Sequence, residues 1–194
     1  MLKLLTSLML HKQISFEEGK IALFKIPVLI TPADYIVDLQ KHLEKIGLQN
    51  LLYHSAKKSG YNWFKSMDGN YGLKIKDIMK WGPDLVSLAG WGKVTVRKKR
   101  DSEKSLLVTL EESVNAKLYG KSDKSTDNFF RGLVCGAWSY AYNTDLEAIE
   151  LKCYSKGDKY CEILITPKDK IDYSDAIVKQ QLDLPKEYSF LLNK

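Results

Sequence analysis

The stretch Glu150-Leu151-Lys152-Cys153-Tyr154-Ser155-Lys156-Gly157-Asp158-Lys159-Tyr160-Cys161 decides how this chain is read. Leu146 to Leu151 and Tyr160 to Ile165 read as two strands, joined by a tight turn at Ser155-Lys156-Gly157-Asp158. One cysteine then ends the outgoing strand and the other begins the returning one, so hairpin closure brings both sulfurs to its base. Glu150 sits just upstream of Cys153. Strict alternation puts those two on opposite faces, so their meeting requires a twist or a bulge. Two sulfurs and a carboxylate are three of the four ligands that a structural zinc takes. The same spacing also suits two buried thiols, or a redox disulfide across the hairpin.

Working outward, Phe129, Phe130, Leu133, Val134, Ala137, Trp138 and Ala141 recur at helical spacing from Thr126. Gly132 and Gly136 leave a stripe without side chains on that helix. Each costs about 1 kcal/mol in helix propensity, which points to a close helix–sheet contact. Residues 113–126 read as polar turns. Before them, Val94 and Val96 alternate with polar residues, Arg97-Lys98-Lys99-Arg100 makes a turn, and Leu106, Val108 and Leu110 return. The first 90 residues read as an extended arm followed by helices. Met1 to Leu10 is an apolar segment that packs on the body or on a partner subunit, and Lys20 to Ile26 is one strand closed by Pro27. Thr31 is the expected N-cap of a helix with Pro32 and Asp34 in its first turn, stopped at Gly47. A second helix spans Leu48 to Met67, ended by Asp68-Gly69-Asn70, and shorter pieces break at Gly82-Pro83 and Gly90. From Pro167 a mixed-charge tail packs loosely. The expected organisation is therefore α+β: an arm and helical part over 1–90, a core over 91–167 and a tail over 168–194, forming one compact unit.

Composition narrows the function. With 194 residues, 44% hydrophobic and 11% aromatic, the chain can bury a core and is not a disordered polymer. No run approaches the roughly 18 apolar residues of a membrane span. Three cysteines suit a reducing, cytoplasmic setting rather than a disulfide scaffold. The net charge of +6 comes from 30 basic residues, of which only Arg97, Arg100 and Arg131 are arginine. Paired recognition of bases and phosphates favours arginine, so no nucleic-acid partner is expected. The histidines, His11, His42 and His54, all fall in the N-terminal part, outside any haem context. Without a Ser-His pair, a phosphate-cradling loop or a nucleotide fingerprint, catalysis is not the expected role.

From about Ser113 to Pro167 the chain resembles the 4-vinyl-reductase domain family. The resemblance runs through Phe130-Arg131-Gly132-Leu133-Val134-Cys135-Gly136, then Glu150-x-x-Cys153, Gly157-Asp158 and Cys161. Phe16-Glu17-Glu18-Gly19-Lys20-Ile21, Gly47 and Ser59-Gly60-Tyr61 resemble the sensory domain of bacterial activators that respond to phenol and xylene. The resemblance implies helices packed on one face of a twisted antiparallel sheet, a fold shared with the small subunits of vesicle-tethering complexes. It implies a zinc held by a Cys, the Glu and the two hairpin Cys. Glu150, Cys153 and Cys161 match, and Asp127 stands where the family has its first cysteine; Cys135 matches no ligand position. It implies also a greasy cavity between the layers, expected here at about 300 Å³ or more near Trp81, Trp91, Phe130 and Trp138. The function so implied is a small-molecule-binding, sensor-type module for an apolar or aromatic ligand. It would be a homodimer with a structural zinc that signals to a separate protein. The alternatives are an accessory protein of a tetrapyrrole or hydrocarbon reductase, and an assembly scaffold.

Overall fold

The sheet that carries the hairpin is four-stranded and antiparallel in the computed structural model, which describes residues 6, 8–72, 75–100 and 104–188. Its strands are β4 (Lys93–Arg100), β5 (Ser105–Glu111), β6 (Leu146–Lys152) and β7 (Cys161–Pro167), in the order β4-β5-β7-β6. Alternation puts Leu106, Val108, Leu110, Ile163, Ile165, Leu146 and Ala148 on one face, and all are buried. The helix α5 (Asn128–Tyr142) covers that face, with α2 (Gln49–Tyr71) packed along it. This is the expected α+β arrangement of helices on an antiparallel sheet.

A separate three-stranded meander precedes it: β1 (Ile14–Glu17), β2 (Lys20–Leu23) and β3 (Ile26–Val28). The single strand expected over Lys20 to Ile26 is two, because Phe24 and Lys25 both take positive φ and form the hairpin turn. Pro27 lies within β3 rather than ending it, which an edge strand tolerates. Leu8, Phe24, Met67 and Leu85 form a small second core that ties this meander to the helices.

Several helix ends differ from expectation. In α1 (Asp34–Lys45) Ala33 occupies the N-cap and makes no side-chain cap bond, so Thr31 does not cap it. The helix α2 passes through Asp68-Gly69-Asn70 and ends at Gly72, in the left-handed conformation. Packing supplies that extra turn: Tyr71 meets Phe24 edge-on, and the Asn70 amide donates to the Phe24 carbonyl at 3.2 Å. Gly82-Pro83 does not break α3 (Ile75–Leu88), where the Ser87 hydroxyl donates to the Pro83 carbonyl. The basic run belongs to β4, not to the turn after it; residues 101–103 of that turn lie outside the described residues. The polar segment before α5 contains a short helix, α4 (Val114–Tyr119), whose Ala116 N–H is accepted by the Ser113 hydroxyl.

The glycine stripe serves a helix–helix contact, not a helix–sheet one. A Cβ on Gly132 would meet the Tyr53 carbonyl at 2.2 Å, and one on Gly136 the Lys57 carbonyl at 1.8 Å. Gly60 of α2 answers from the other side, where a Cβ would meet Leu133 O at 2.1 Å. Backbones this close place the side chains of α2 against the outer edge of β6.

That edge is closed by side chains. Leu146 N–H donates to Ser139 Oγ, and its carbonyl accepts from the Cys135 thiol. Ala148 N–H donates to the Tyr53 hydroxyl, and its carbonyl accepts from Arg131. The Gln181 carboxamide takes both Glu150 groups, accepting from N–H at 2.8 Å and donating to O at 2.9 Å. An open strand edge invites pairing with other chains, and here three successive edge-facing residues are satisfied internally. Gln181 belongs to α6 (Ala176–Leu182), whose Val178 and Leu182 join the main core. The part of the expected tail that forms α6 is therefore integral to the packing rather than loose. Among the described residues no helix is long and apolar enough to cross a membrane.

Candidate functional site

The hairpin's chemistry depends on one irregularity. Glu150 pairs with Ile163 but Lys152 pairs with Glu162, so Leu151 is an extra residue in β6. This bulge removes the obstacle of strict alternation and brings Glu150 and Cys153 to one side. Beyond it, Tyr154–Lys156 form a 3-10 turn ended by Gly157 at φ 99°. Cys153 N–H donates to Asp158 Oδ2 at 2.9 Å, and Tyr154 N–H donates to Cys161 Sγ at 3.3 Å. Turn geometry thus aims both sulfurs inward. The nearest ligand atoms of Glu150, Cys153 and Cys161 all lie within 4.8 Å of one another, and all three residues are buried.

Asp127 borders this trio from the residue just before α5. Its carboxylate accepts from the Ser113 hydroxyl at 2.8 and 3.0 Å, while its N–H donates to Glu150 Oε2 at 3.3 Å. Thr126 Oγ1 lies 3.4 Å from Cys153 Sγ and 2.9 Å from Ser155 Oγ, and Ser155 in turn donates to the Ala116 carbonyl. The sequence reading missed Ser113, Thr126, Ser155, Arg131 and Gln181. Of these only Arg131 left a signal, a lone charge inside an otherwise apolar helical stripe. The others are small polar residues whose approach depends on the fold.

Four acidic groups share this enclosed space, and their ionisation is divided unequally. The hydrogen bond from Cys161 holds Cys153 down to about 5, helped by Thr126 against burial. Donating that proton, together with burial, pushes Cys161 far up. Burial raises Glu150, and the charges of Asp127 and Cys153 add to it. Burial lifts Asp127 to about 6 against the hydrogen bonds of Ser113. One thiolate is thus solvated by protons that a cation would replace. Glu150 Oε1 is moreover fully buried with no hydrogen-bond partner. An orphaned carboxylate oxygen beside two sulfurs fits a divalent, borderline-soft cation such as zinc.

The four aromatic residues expected at a ligand pocket part company. Trp138 lines an apolar cavity of about 40 Å³, enclosed by Trp63, Pro83, Val86, Val108 and Leu133 among others. Trp81 lies elsewhere, stacked on Phe24 at 5.8 Å. Trp91 stacks on Phe129 at 5.4 Å and tilts against Phe130 at 5.8 Å, and none of these three lines the cavity. The cavity is far smaller than the expected 300 Å³ because Trp63, Phe64 and Trp138 fill the layer between α3 and the sheet. A second hollow of about 540 Å³ lies between α2 and the ends of α5 and β6. It is polar and open, and Lys57 there pairs with Asp145 and Glu147 at 2.9 Å each.

Comparison with known proteins agrees with this architecture. No family model matches the chain. An uncharacterized protein of Methanocaldococcus jannaschii is 22% identical over 125 residues, which are 64% of this chain and 68% of that protein. A vinyl-4-reductase family protein of the same organism is similar with a TM-score of 0.48 and 14% identity, over 75% of this chain and 85% of that one. The phenol-responsive sensory domain of the transcription activator PoxR, solved with phenol, superposes with a TM-score of 0.71. The match covers 91% of this chain and 94% of that one at 19% identity. The superposition therefore places this chain, with its helices laid on a four-stranded antiparallel sheet, in the fold of that sensory domain.

Proposed function

We propose that the chain is a sensor-type small-molecule-binding module that takes an apolar ligand between α3 and the sheet. One structural zinc would be held by Asp127, Glu150, Cys153 and Cys161. The observation that carries the ligand reading is the cavity beside Trp138, whose lining contains no ionisable side chain. An apolar ligand gains there by leaving water and loses no hydrogen bond. A cavity of about 150 Å³ holds benzene, so a ring requires α3 to move outward from β4. The metal reading is supported by the mutual approach of Glu150, Cys153 and Cys161 and by the orphaned Glu150 oxygen. With every coordination position taken by protein, such a zinc would pin the hairpin to the start of α5 rather than open a position for chemistry. A homodimer in the cytoplasm, signalling to a separate protein, completes the proposal.

The small cavity is also the observation that favours a second reading, an assembly scaffold with a packed interior. Native mass spectrometry separates the two. The sensor reading expects one zinc per chain and, after exposure to toluene or phenol, a bound aromatic. A metal-free chain overturns the zinc site, and a chain that takes up neither aromatic overturns the sensor in favour of the scaffold.

A further inference from the structure

The two hairpin cysteines oppose each other directly. Lys152 pairs with Glu162, and Cys153 continues β6 in extended conformation at φ −139° and ψ 129°, so the next step of the register sets Cys153 against Cys161. Ala148 and Glu150 turn their backbone groups to the outer edge, which makes their pairs with Ile165 and Ile163 the non-hydrogen-bonded kind. Cys161 lies two residues before Ile163 and keeps that alternation. Opposed Cα atoms in such a pair stand about 4.5 Å apart, inside the range of about 4.4–6.8 Å that a disulfide bridges without backbone movement. The two sulfurs lie within 4.8 Å of each other. Both are buried, but Cys153 immediately precedes the 3-10 turn Tyr154–Lys156, where Tyr154, Lys156 and Gly157 are exposed. Opening of that one turn admits a small oxidant to the sulfurs. The third thiol is elsewhere: Cys135 sits on α5 and donates to the carbonyl of Leu146, at the other end of β6.

We propose that Cys153 and Cys161 are a redox modification site, a dithiol that a hydroperoxide converts to a cross-strand disulfide with release of the metal. The Cys153 sulfur attacks the peroxide, the O–O bond breaks, and Cys153 becomes a sulfenic acid as an alcohol leaves, or water in the case of hydrogen peroxide. The Cys161 sulfur then attacks Cys153 Sγ and expels the hydroxyl, which departs as water with the Cys161 proton. Two electrons pass from the sulfurs to the peroxide, and one S–S bond forms. The thiolate is the form that ligates a metal, so oxidation removes two of four ligands and leaves only Asp127 and Glu150. Thiol reductants reverse the step by exchange. The disulfide stands on the opposition of the two cysteines alone, whereas its effect on zinc rests on the metal reading given above.

The test treats the full chain, zinc-loaded and chelator-stripped, with hydrogen peroxide, then alkylates it in denaturant and weighs it. The reduced chain has three free cysteines to alkylate, and the oxidised chain should have one, Cys135. Lys152, Lys156, Lys159 and Lys168 let trypsin cut between the partners. The digest should therefore contain the peptide 153–156 joined to the peptide 160–168, and dithiothreitol should part them. Cys135→Ser should give the same joined peptide. The zinc-loaded chain should lose one zinc per disulfide formed, read with a chromophoric chelator. Peroxide treatment that leaves three thiols, yields only sulfinic or sulfonic acids, or joins Cys135 to either partner overturns the proposal. So does a zinc-loaded chain that keeps its metal and all its thiols under the peroxide that links the stripped chain. A chain that forms the disulfide but binds no zinc when reduced overturns the metal reading and leaves the modification site standing.

Discussion

Cys153 and Cys135 are both fully buried, yet their surroundings give them opposite chemistry. Cys153 receives hydrogen bonds from Cys161 and Thr126 that hold it down near 5, in the range of a ready metal ligand. Burial pushes Cys135 up to about 12, where it is an inert thiol donating to the Leu146 carbonyl. Cys153→Ser should abolish zinc uptake and lower the melting temperature by about 5–10 °C, as for a loss of a few kcal/mol. Cys135→Ser should leave the zinc content unchanged, as metal analysis would show. His54 makes a second residue-level prediction. Burial lowers its pKa from the usual 6.5, although its Nε2 bonds to the Leu182 carbonyl at 2.8 Å. A base depressed in the folded state gives stability that is full above the unfolded pKa and lost as pH falls through the folded one. Urea unfolding of the wild type and of His54→Gln should therefore diverge as pH drops below about 6.5, the wild type losing stability relative to the variant.

The α2–α5 crossing and the β6 bulge are the elements on which the site rests, and they were unequally legible. Gly132 and Gly136 announced a close approach from their spacing alone. Their partner could not be read, because any small-residue face looks the same until Gly60 is seen opposite. Gly136→Ala would drive a methyl into the Lys57 carbonyl and force the helices apart. It should cost about 3 kcal/mol, read by chemical denaturation. Gly69→Ala is the matching control: its Cβ meets nothing within 4 Å, so replacing this glycine in the last turn of α2 should stabilise by up to about 0.5 kcal/mol. The bulge at Leu151 was recognisable only as a requirement. Glu150 and Cys153 had to meet, but the residue that would step out of register depends on the β7 partner, not on β6 alone.

At the scale of the molecule, α3 closes the apolar cavity, and Gly82-Pro83 lies in the part of it that forms the wall. Proline removes one helical hydrogen bond from this wall. Saturating toluene should raise the melting temperature of the wild type by about 2 °C or more, a stabilisation of roughly 1 kcal/mol. Ala137→Val, whose two added methyl groups take up the cavity from α5, should remove that response while the zinc content stays the same. A response that survives the filling would put the ligand elsewhere.

The sequence by itself determined the strand–strand–helix–strand–strand order of the core, the last hairpin and the identity of Glu150, Cys153 and Cys161 as neighbours. Hairpin closure and side-chain periodicity are local, so they are written in consecutive residues. Tertiary structure decided what long-range contact sets. It extended α2 past Asp68-Gly69-Asn70 through packing on Phe24, and it joined α6 to the β6 edge through Gln181. It also scattered the aromatic residues over separate contacts, leaving Trp138 alone of the four at the cavity. Which side chains share a space is a property of the closed fold, because burial is distributed by all the elements at once. Arg131 shows the difference: in the sequence it is one basic residue among 30, and in the fold it is a fully buried charge that donates to Ala148 O, Gln181 O and Asn128 Oδ1.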